Sequence, residues 1–338
     1  MLRGLITCIL LFMNVFLGAL GSPALLRVSQ PRPLVIWHGL GDSYASPGIL
    51  EFISMIKDIH PGIFVHSIYL DENLDEDQKA TFYGSVNEQV QRVSEQLANI
   101  TELAGGFDAM GFSQGPPGGQ FLRAYVERYN SPPVYNLVTF GSQHMGISDI
   151  PGCRPWDVVC QLARRAAMGG VYTEWAQHNL VQARLFLLSI SAGQAQYYRD
   201  PARLTMYLAS NLFLADINNE IPDAANGSYA PRLASLEKLV LVLFLQDKTV
   251  VPKESSWFGS YAEPGTGSKE KTIVPMRLQP LYVEDWIGLR ALDERGAVSF
   301  ETCAGEHMVM ARDCWEPLVK RFVGAPVRDA HADGLLVQ

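Results

Sequence analysis

Short apolar runs alternate with amphipathic segments along most of the chain. The run from Leu34 to Trp37 ends at a glycine-rich loop, which predicts a buried strand, and Ile63 to Tyr69 predicts a second strand. From Val86 to Ile100 the apolar residues recur at steps of three and four, which predicts an amphipathic helix with one buried face.

The alternation continues through the second half of the chain. Further strands are predicted at Phe107 to Phe112, Val134 to Phe140, the apolar end of Leu236 to Leu245, and Ala297 to Phe300, and further helices at Phe121 to Tyr129 and about Trp315 to Val323. This order predicts an α/β fold with a mostly parallel sheet covered by helices on both faces. The alternation stops between His144 and about Leu233, so we expect an insertion over about residues 144–233, above one edge of the sheet.

The amino terminus has the pattern of a secretory signal peptide. Arg3 precedes an apolar run from Leu5 to Leu20, and small residues follow it before Pro23. We expect a signal peptide over residues 1–21 and no transmembrane segment in the mature chain. The alternative is a single N-terminal anchor helix.

Composition indicates a folded protein that does not bind nucleic acid. The chain has 338 residues, of which 48% are hydrophobic, and this is enough for one large domain with an insertion. The formal net charge of −8 gives no sign of a nucleic acid or an anionic membrane surface as partner. The acidic run from Asp71 to Asp77 is interpreted as a solvated loop.

Cysteines fit a secreted chain with disulfides. Removal of the signal peptide leaves four of them, and an even number favours pairing. Cys153 and Cys160 are close in sequence and are the expected pair. Cys303 and Cys314 either form a second disulfide or remain free buried thiols.

Two glycosylation sequons agree with a lumenal or extracellular protein. They begin at Asn99 and Asn226. Together with the signal peptide they predict the secretory pathway, with the lysosome or vacuole and the outside of the cell as the candidate locations.

Ser113 lies in a G-x-S-x-G motif, from Gly111 to Gly115, between a predicted strand and a predicted helix. A serine hydroxyl is a poor nucleophile until a base takes its proton. A tight strand-to-helix turn of this kind presents a nucleophilic serine above the sheet. The alternative is a glycine-rich turn with an incidental serine.

The order of the candidate base and acid matches that of an α/β-hydrolase. His307 follows the last predicted strand, where the base of such a triad belongs. Asp247 follows the longest apolar strand and is the expected acid. Asp285 is the alternative acid, although no clear strand precedes it.

An oxyanion hole needs two backbone amides, one after the nucleophile and one in the loop after an early strand. Gln114 and Leu40 are the candidates. The loop from His38 to Asp42 is equally read as a tight turn in which Asp42 caps a helix. No zinc-type spacing, P-loop or dinucleotide fingerprint is present, so no metal or cofactor is expected.

Six segments in order resemble the palmitoyl-protein thioesterases of the lysosome, in a fungal-looking form. They read LVIWHGLGDS, AMGFSQG with GQFLRAY, NLVTFGSQHMG, FLADINNE, FLQDKTVVP and SSWFGSY. The resemblance spans about residues 33–323, which predicts one α/β-hydrolase domain, followed by a polar tail over residues 324–338.

The resemblance implies removal of long-chain acyl groups from S-acylated cysteines, with acylated proteins or peptides as partners. It implies that the insertion forms a groove for the acyl chain. It also makes Ser113 the nucleophile, Asp247 the acid and His307 the base, with Leu40 and Gln114 giving the oxyanion amides and Gln143 near the site.

Two segments depart from the family pattern. Three extra residues, equivalent to Gly115-Pro116-Pro117, follow the nucleophile, and a second extra segment covers about Arg184 to Ala195. Each proline pushes the preceding residue away from helical angles, so we expect the next helix to begin near Gly119, with a compromised elbow. The alternative functions are a carboxylester lipase or esterase and a catalytically impaired lipid-binding homologue.

Overall fold

The computed structural model describes residues 30–113, 118–149, 169–179, 183–185, 190–192, 195–264 and 271–325. Six of its strands form one sheet. They are β1 (Leu34–Trp37), β2 (Val65–Ser67), β3 (Phe107–Phe112), β4 (Val134–Phe140), β7 (Lys238–Phe244) and β10 (Val298–Cys303). Two small antiparallel hairpins pair β5 (Ala183–Leu185) with β6 (Ile190–Ala192), and β8 (Ser260–Tyr261) with β9 (Ile273–Val274).

The longer helices flank this sheet. They are α1 (Pro47–Ile59), α2 (Leu74–Ala80), α3 (Val86–Ala98), α4 (Gly119–Arg128) and α11 (Arg312–Phe322). Shorter helices lie between β4 and β10. They are α5 (Glu174–Asn179), α6 (Leu204–Ser210), α7 (Leu214–Ile217), α8 (Tyr229–Ala234), α9 (Pro280–Val283) and α10 (Leu289–Glu294).

All neighbouring strands of the main sheet run parallel, in the order β10-β7-β4-β3-β1-β2. The parallel arrangement predicted from the alternation of elements is therefore confirmed. It brings the carboxyl ends of β1, β3, β7 and β10 to one edge, where ligands bind in open α/β sheets. The last strand continues beyond the predicted Phe300 to Cys303, because its pairing with β7 extends to Phe244.

Both faces of the central strands are buried, which explains their predominantly apolar sequences. In β3, Phe107 and Ala109 pack into a core cluster shared with α3 and α4. The alternate residues, Met110 and Phe112, pack into a second cluster shared with α1 and α11.

The acidic run is exposed over residues 71–76, as its composition suggested, but its second half begins α2 and its last residue is buried. Asn73 caps α2, accepting hydrogen bonds from the backbone amides of Asp75 and Glu76. The side chain of Asp77 is fully buried. Burial is possible because Asp77 accepts hydrogen bonds from the amides of Leu70 and Tyr44, at 2.7 and 2.9 Å.

The turn after β1 also differs from its simpler interpretation. Ser46, rather than Asp42, caps α1, and its hydroxyl accepts a hydrogen bond from Ile49 N. Asp42 instead accepts a hydrogen bond from the amide of Ser43.

Cys303 and Cys314 form a disulfide, so the free-thiol alternative is wrong for this pair. Cys153 and Cys160 lie outside the described residues, as do the signal-peptide region and most of the polar tail. Within the described part of the chain, no helix has the length and hydrophobicity needed to cross a membrane.

The second extra segment coincides with the β5–β6 hairpin, in which Arg184 pairs with Ser191 along the backbone. The described part of the insertion packs against α4 through polar contacts. Arg123 donates to Asn218 at 2.6 Å, and Arg128 forms an ion pair with Asp216 at 2.5 Å.

Candidate active site

Ser113 stands on a strained turn directly after β3. Its φ of 65° lies in the left-handed region, which is unusual for a residue other than glycine. Its amide donates to Phe140 O at 2.7 Å, which fixes the turn to the end of β4. A Cβ placed on Gly39 would lie 3.1 Å from Ser113 Cβ, so a side chain there would crowd the serine where the loop after β1 passes it.

The start of α4 packs against the sheet without intervening side chains. A Cβ on Gly111 would lie 2.4 Å from Gly119 Cα, and a Cβ on Gly119 would lie 2.5 Å from Thr139 Cβ. The helix begins at Gly119, as the two prolines predicted. Residues 114–117 lie outside the described ranges, and with them the amide of Gln114.

The three candidate triad residues meet above the carboxyl edge of the sheet. Ser113 Oγ lies 2.6 Å from His307 Nε2, and His307 Nδ1 lies 2.6 Å from Asp247 Oδ2. Both contacts are satisfied when Nδ1 carries the ring proton, because Nε2 is then free to accept the serine proton.

Asp247 is held in place by its own turn. Its Oδ1 accepts hydrogen bonds from the amides of Thr249 and Val250, at 2.8 and 2.9 Å. Its carboxylate is inaccessible to solvent, whereas the His307 side chain is 12% exposed. The buried carboxylate therefore orients the ring, and the ring itself reaches the surface.

His307 lies in the loop between β10 and α11, which we call the base loop (residues 304–311). The Cys303–Cys314 disulfide closes this loop at both ends. Met308 has a φ of 59°, and Gly305 has a φ of 98°. On its other side the ring approaches Gly141, where a Cβ would lie 3.0 Å from His307 Cε1.

An apolar pocket of about 530 Å³ opens beside Ser113 and His307. Its apolar side chains come from α1, from the end of β3, from the base loop and from α11. They are Ile49, Phe52, Met55, Phe112, Met308, Met310 and Trp315. Gly39, Leu40 and Asp42 of the loop after β1 also border it.

None of the described residues around the pocket belongs to the insertion. Residues 150–168 of the insertion lie outside the described ranges, so the groove expected from the insertion stays a prediction. Sequence analysis overlooked the residues that line the pocket. The available signal was α1, whose apolar positions Ile49, Phe52 and Ile56 directly follow the H-G-x-G-D loop.

Other polar residues near the site have structural partners. His144 stacks on Phe258 at 4.6 Å, and burial, aided by the positive charge of Arg123, holds its pKa well below the usual value. His144 is therefore neutral. The next residue towards the amino terminus, Gln143, is also buried, and its backbone carbonyl accepts a hydrogen bond from Gly146 N.

Asp285, the alternative acid, serves a helix terminus. Its Oδ1 accepts a hydrogen bond from Arg290 N at 2.8 Å, near the start of α10. The two sequon asparagines are exposed: Asn99 follows the last turn of α3, and Asn226 forms a turn with Ser228.

Comparison with known proteins agrees with this architecture. A family model described as Palmitoyl protein thioesterase matches residues 33–307. Palmitoyl-protein thioesterase 1 from Caenorhabditis elegans is 39% identical over 287 residues, which cover 85% of this chain and 89% of that protein.

Two further relatives match over similar lengths. Palmitoyl-protein thioesterase 3 from Dictyostelium discoideum is 33% identical over 286 residues, covering 84% of this chain and 88% of that protein. Lysosomal thioesterase PPT2-B from Xenopus laevis is 28% identical over 292 residues, covering 81% and 85%. With an α/β-hydrolase fold and a family match over most of its length, the chain belongs to the palmitoyl protein thioesterase family.

Proposed function

We propose that the protein hydrolyses long-chain acyl thioesters, with S-acylated proteins or peptides as substrates. The observation that carries the proposal is the unbroken contact from Ser113 through His307 to Asp247, beside an apolar pocket. A nucleophile, a base and an orienting carboxylate within hydrogen-bond reach are the requirements of acyl transfer.

Acylation begins when Ser113 Oγ attacks the thioester carbonyl carbon and its proton passes to His307 Nε2. The buried Asp247 carboxylate stabilises the imidazolium that forms. The tetrahedral oxyanion then needs backbone donors, for which we propose the amides of Leu40 and Gln114. The carbon–sulfur bond breaks, and the cysteine thiolate leaves, taking the proton from His307.

A thiolate is an easier leaving group than an amine, because a free cysteine thiol has a pKa of about 8.5. Deacylation repeats the sequence with water. His307 accepts a proton from the water as its oxygen attacks the acyl-enzyme carbonyl. The proton returns to Ser113 Oγ as the ester bond breaks, releasing the fatty acid.

The pocket supplies the preference for long acyl chains. Each methylene transferred from water into an apolar site contributes about 0.8 kcal/mol. In the lining of the pocket, the Phe52 ring packs edge-on against Phe112 and Trp315, with centroids 5.4 and 4.9 Å away.

Hydrolysis of palmitoyl-cysteine peptide by the purified protein tests the proposal. We expect turnover by the parent protein and none by Ser113→Ala, with Ser235→Ala, an exposed serine distant from the site, as the matched control. Equal loss of activity in both variants, or retention in both, would remove Ser113 from the mechanism.

Carboxylester hydrolysis is the second candidate, since the same triad cleaves oxyesters. Hydrolysis of a palmitoyl oxyester that differs from the thioester only in carrying oxygen in place of the thioester sulfur tests this directly. Faster turnover of the oxyester at equal chain length would make the protein an esterase. Absence of both activities, together with no labelling of Ser113 by a fluorophosphonate, would favour the lipid-binding role.

The extra residues after the nucleophile are tested with a variant lacking Gly115, Pro116 and Pro117. The triad distances and the close packing at Gly119 favour activity in the full chain. We therefore expect both forms to hydrolyse the thioester. Turnover by the shortened form alone would show that the extra residues block the oxyanion hole.

We also propose that the protein works in the lysosome or vacuole, or outside the cell. Support comes from the N-terminal apolar pattern, the exposed sequons at Asn99 and Asn226, and the disulfide, which persists in oxidising compartments. Fractionation of the native protein, with glycosidase treatment, tests this. A glycosidase-insensitive cytosolic form would contradict it.

A further inference from the structure

The loop after β1 runs from His38 to Ser46 and borders Ser113, and we call it the oxyanion loop. It leaves β1, passes Ser113 at Gly39, and enters α1. The loop contains no regular secondary structure of its own, so its shape depends on the groups that hold its backbone.

A buried carboxylate holds this loop near both of its ends. Asp77 Oδ2 accepts a hydrogen bond from Tyr44 N at 2.9 Å and lies 3.2 Å from His38 Nε2. His38 and Asp77 both have fully buried side chains. The other oxygen of Asp77 accepts a hydrogen bond from Leu70 N at 2.7 Å, which ties the carboxylate to the segment before α2.

The same stretch of chain also holds the middle of the loop. Thr81 Oγ1 accepts a hydrogen bond from Gly41 N at 3.0 Å, and Gln78 Nε2 donates to Gly41 O at 2.5 Å. Both backbone groups of Gly41, the residue after Leu40, are therefore fixed by side chains at α2. Gly41 has a φ of 73°, a backbone conformation that is unfavourable for residues with a side chain.

Asp77 is charged in this setting. Burial alone would raise the pKa of Asp77, but the adjacent His38 ring and the hydrogen bonds from the amides of Leu70 and Tyr44 outweigh burial and lower its pKa. An ionised carboxylate accepts several hydrogen bonds at once and makes stronger ones than a neutral group.

We propose that Asp77, supported by Thr81, is a positioning residue that fixes the oxyanion loop and with it the amide of Leu40. This inference rests on the proposed function, because it gives the loop a role in stabilising the tetrahedral intermediate. A preorganised donor stabilises the developing charge without rearranging during the reaction, and this depends on the groups behind it.

Asp77→Asn tests the proposal while it preserves the shape of the side chain. The amide replaces one acceptor oxygen by a donor, which then faces the N–H groups of the loop. Loss of one oxyanion donor lowers kcat by about 10²–10³-fold. For a displaced donor we expect kcat to fall about tenfold or more, with KM changed less than about twofold. Asp75→Asn, on the exposed side of α2, is the matched control.

Rates are measured per active site, titrated with a fluorophosphonate, so that loss of folded protein does not count as loss of catalysis. A purely structural role predicts that the titratable fraction falls while the rate per titrated site stays constant. That outcome, or an unchanged kcat in the folded variant, would overturn the proposal. If Asp77→Asn does not fold, Thr81→Val decides. It removes the acceptor for Gly41 N and, with it, the hydrogen bond that Thr81 Oγ1 donates to Gln78 O at the end of α2. The proposal requires a lower kcat at constant KM there too.

The fluorophosphonate also separates this inference from the proposed function. Its reaction with Ser113 builds negative charge on the phosphoryl oxygen and needs the same donors. If the parent protein labels but hydrolyses no thioester, the proposed function fails, and slower labelling of Asp77→Asn than of Asp75→Asn still supports the inference. If labelling rates are equal, the inference fails. If the parent protein neither labels nor hydrolyses, both fail.

Discussion

The two loops that flank Ser113 are held in different ways. The oxyanion loop is fixed by hydrogen bonds that its amides donate to buried or partly buried side chains at α2, principally those of Asp77 and Thr81. The base loop is closed by the Cys303–Cys314 disulfide. Hydrogen bonds define the direction of individual amides, whereas a disulfide limits how far the ends of a loop separate.

The difference follows from what each loop delivers. In the mechanism that we propose, the oxyanion loop supplies the backbone amide of Leu40, and the direction of this N–H decides whether it reaches the oxyanion. The base loop delivers a side chain, and Asp247 supplies the direction of the His307 ring. Gln246 N donates to Gly305 O at 2.9 Å, and the ion pair of Glu306 with Lys248 is exposed and contributes little. The disulfide therefore restrains a loop whose polar contacts lie mainly at its surface and at its ends.

Removal of the imidazole that the base loop carries should lower the activity more than any other change. We expect His307→Ala to lower kcat for a palmitoyl thioester by about 10⁶-fold, as loss of the base does in other serine hydrolases. His178→Ala, an exposed histidine on α5, is the control. Activity within tenfold of the parent would mean that another group takes the serine proton.

Opening the base loop should have the next largest effect, and mainly on stability. We expect the double variant Cys303→Ser/Cys314→Ser to lower the free energy of unfolding by roughly 2–4 kcal/mol, because the closed loop no longer restricts the unfolded chain. Denaturant titration measures this. Unchanged stability in the double variant, relative to the parent kept oxidised, would show that closure contributes nothing to the fold.

Filling the pocket between the two loops should change only the dependence of turnover on the length of the acyl chain. A Cβ at Gly48 meets no atom within 4 Å, so Gly48→Leu fills the pocket without a backbone clash. Each excluded methylene loses about 0.8 kcal/mol, or roughly fourfold in kcat/KM. We expect weaker turnover of palmitoyl than of butyryl thioester. Gly105→Leu, at an exposed and equally open position, controls for the substitution itself; equal loss on both chain lengths would refute the pocket assignment.

Lowering the pH should weaken the oxyanion loop but not the base loop, and we expect this effect to be smaller than the others. The folded-state pKa of Asp77 is lowered, so its stabilising contacts are complete above the unfolded value of 3.8 and are lost as pH falls through the lower folded value. The disulfide does not titrate. Below pH 3.8 we expect hydrogen-exchange protection to fall at the amides of Tyr44 and Leu70 before it falls at Cys314. Simultaneous loss at all three amides would indicate global unfolding instead.

The sequence predicted the parts of the fold that local patterns determine. β1, β3 and β4 begin and end at the predicted residues, because most of their residues are apolar and buried on both faces. The start of α4 was predicted because the prolines act on their own neighbours in sequence.

The parts that depend on distant contacts were not predicted. Nothing near Asp77 indicates that its carboxylate meets His38 and Tyr44, more than thirty residues earlier. Asn73 followed by acidic residues was a helix-start signal, and it predicts α2 but not the burial of one residue within it. The pocket was missed for the same reason, since α1 and α11 meet only in the folded chain.

Three of the pocket-lining side chains are methionines, Met55, Met308 and Met310. Unbranched thioethers change rotamer easily, so this wall adapts to straight and bent chains alike. The same sulfur atoms are targets for peroxide, which converts a thioether into a polar sulfoxide. Oxidation of these methionines would therefore make the pocket wall hydrophilic and weaken binding of the hydrocarbon chain. The serine, the histidine and the carboxylate would remain chemically intact.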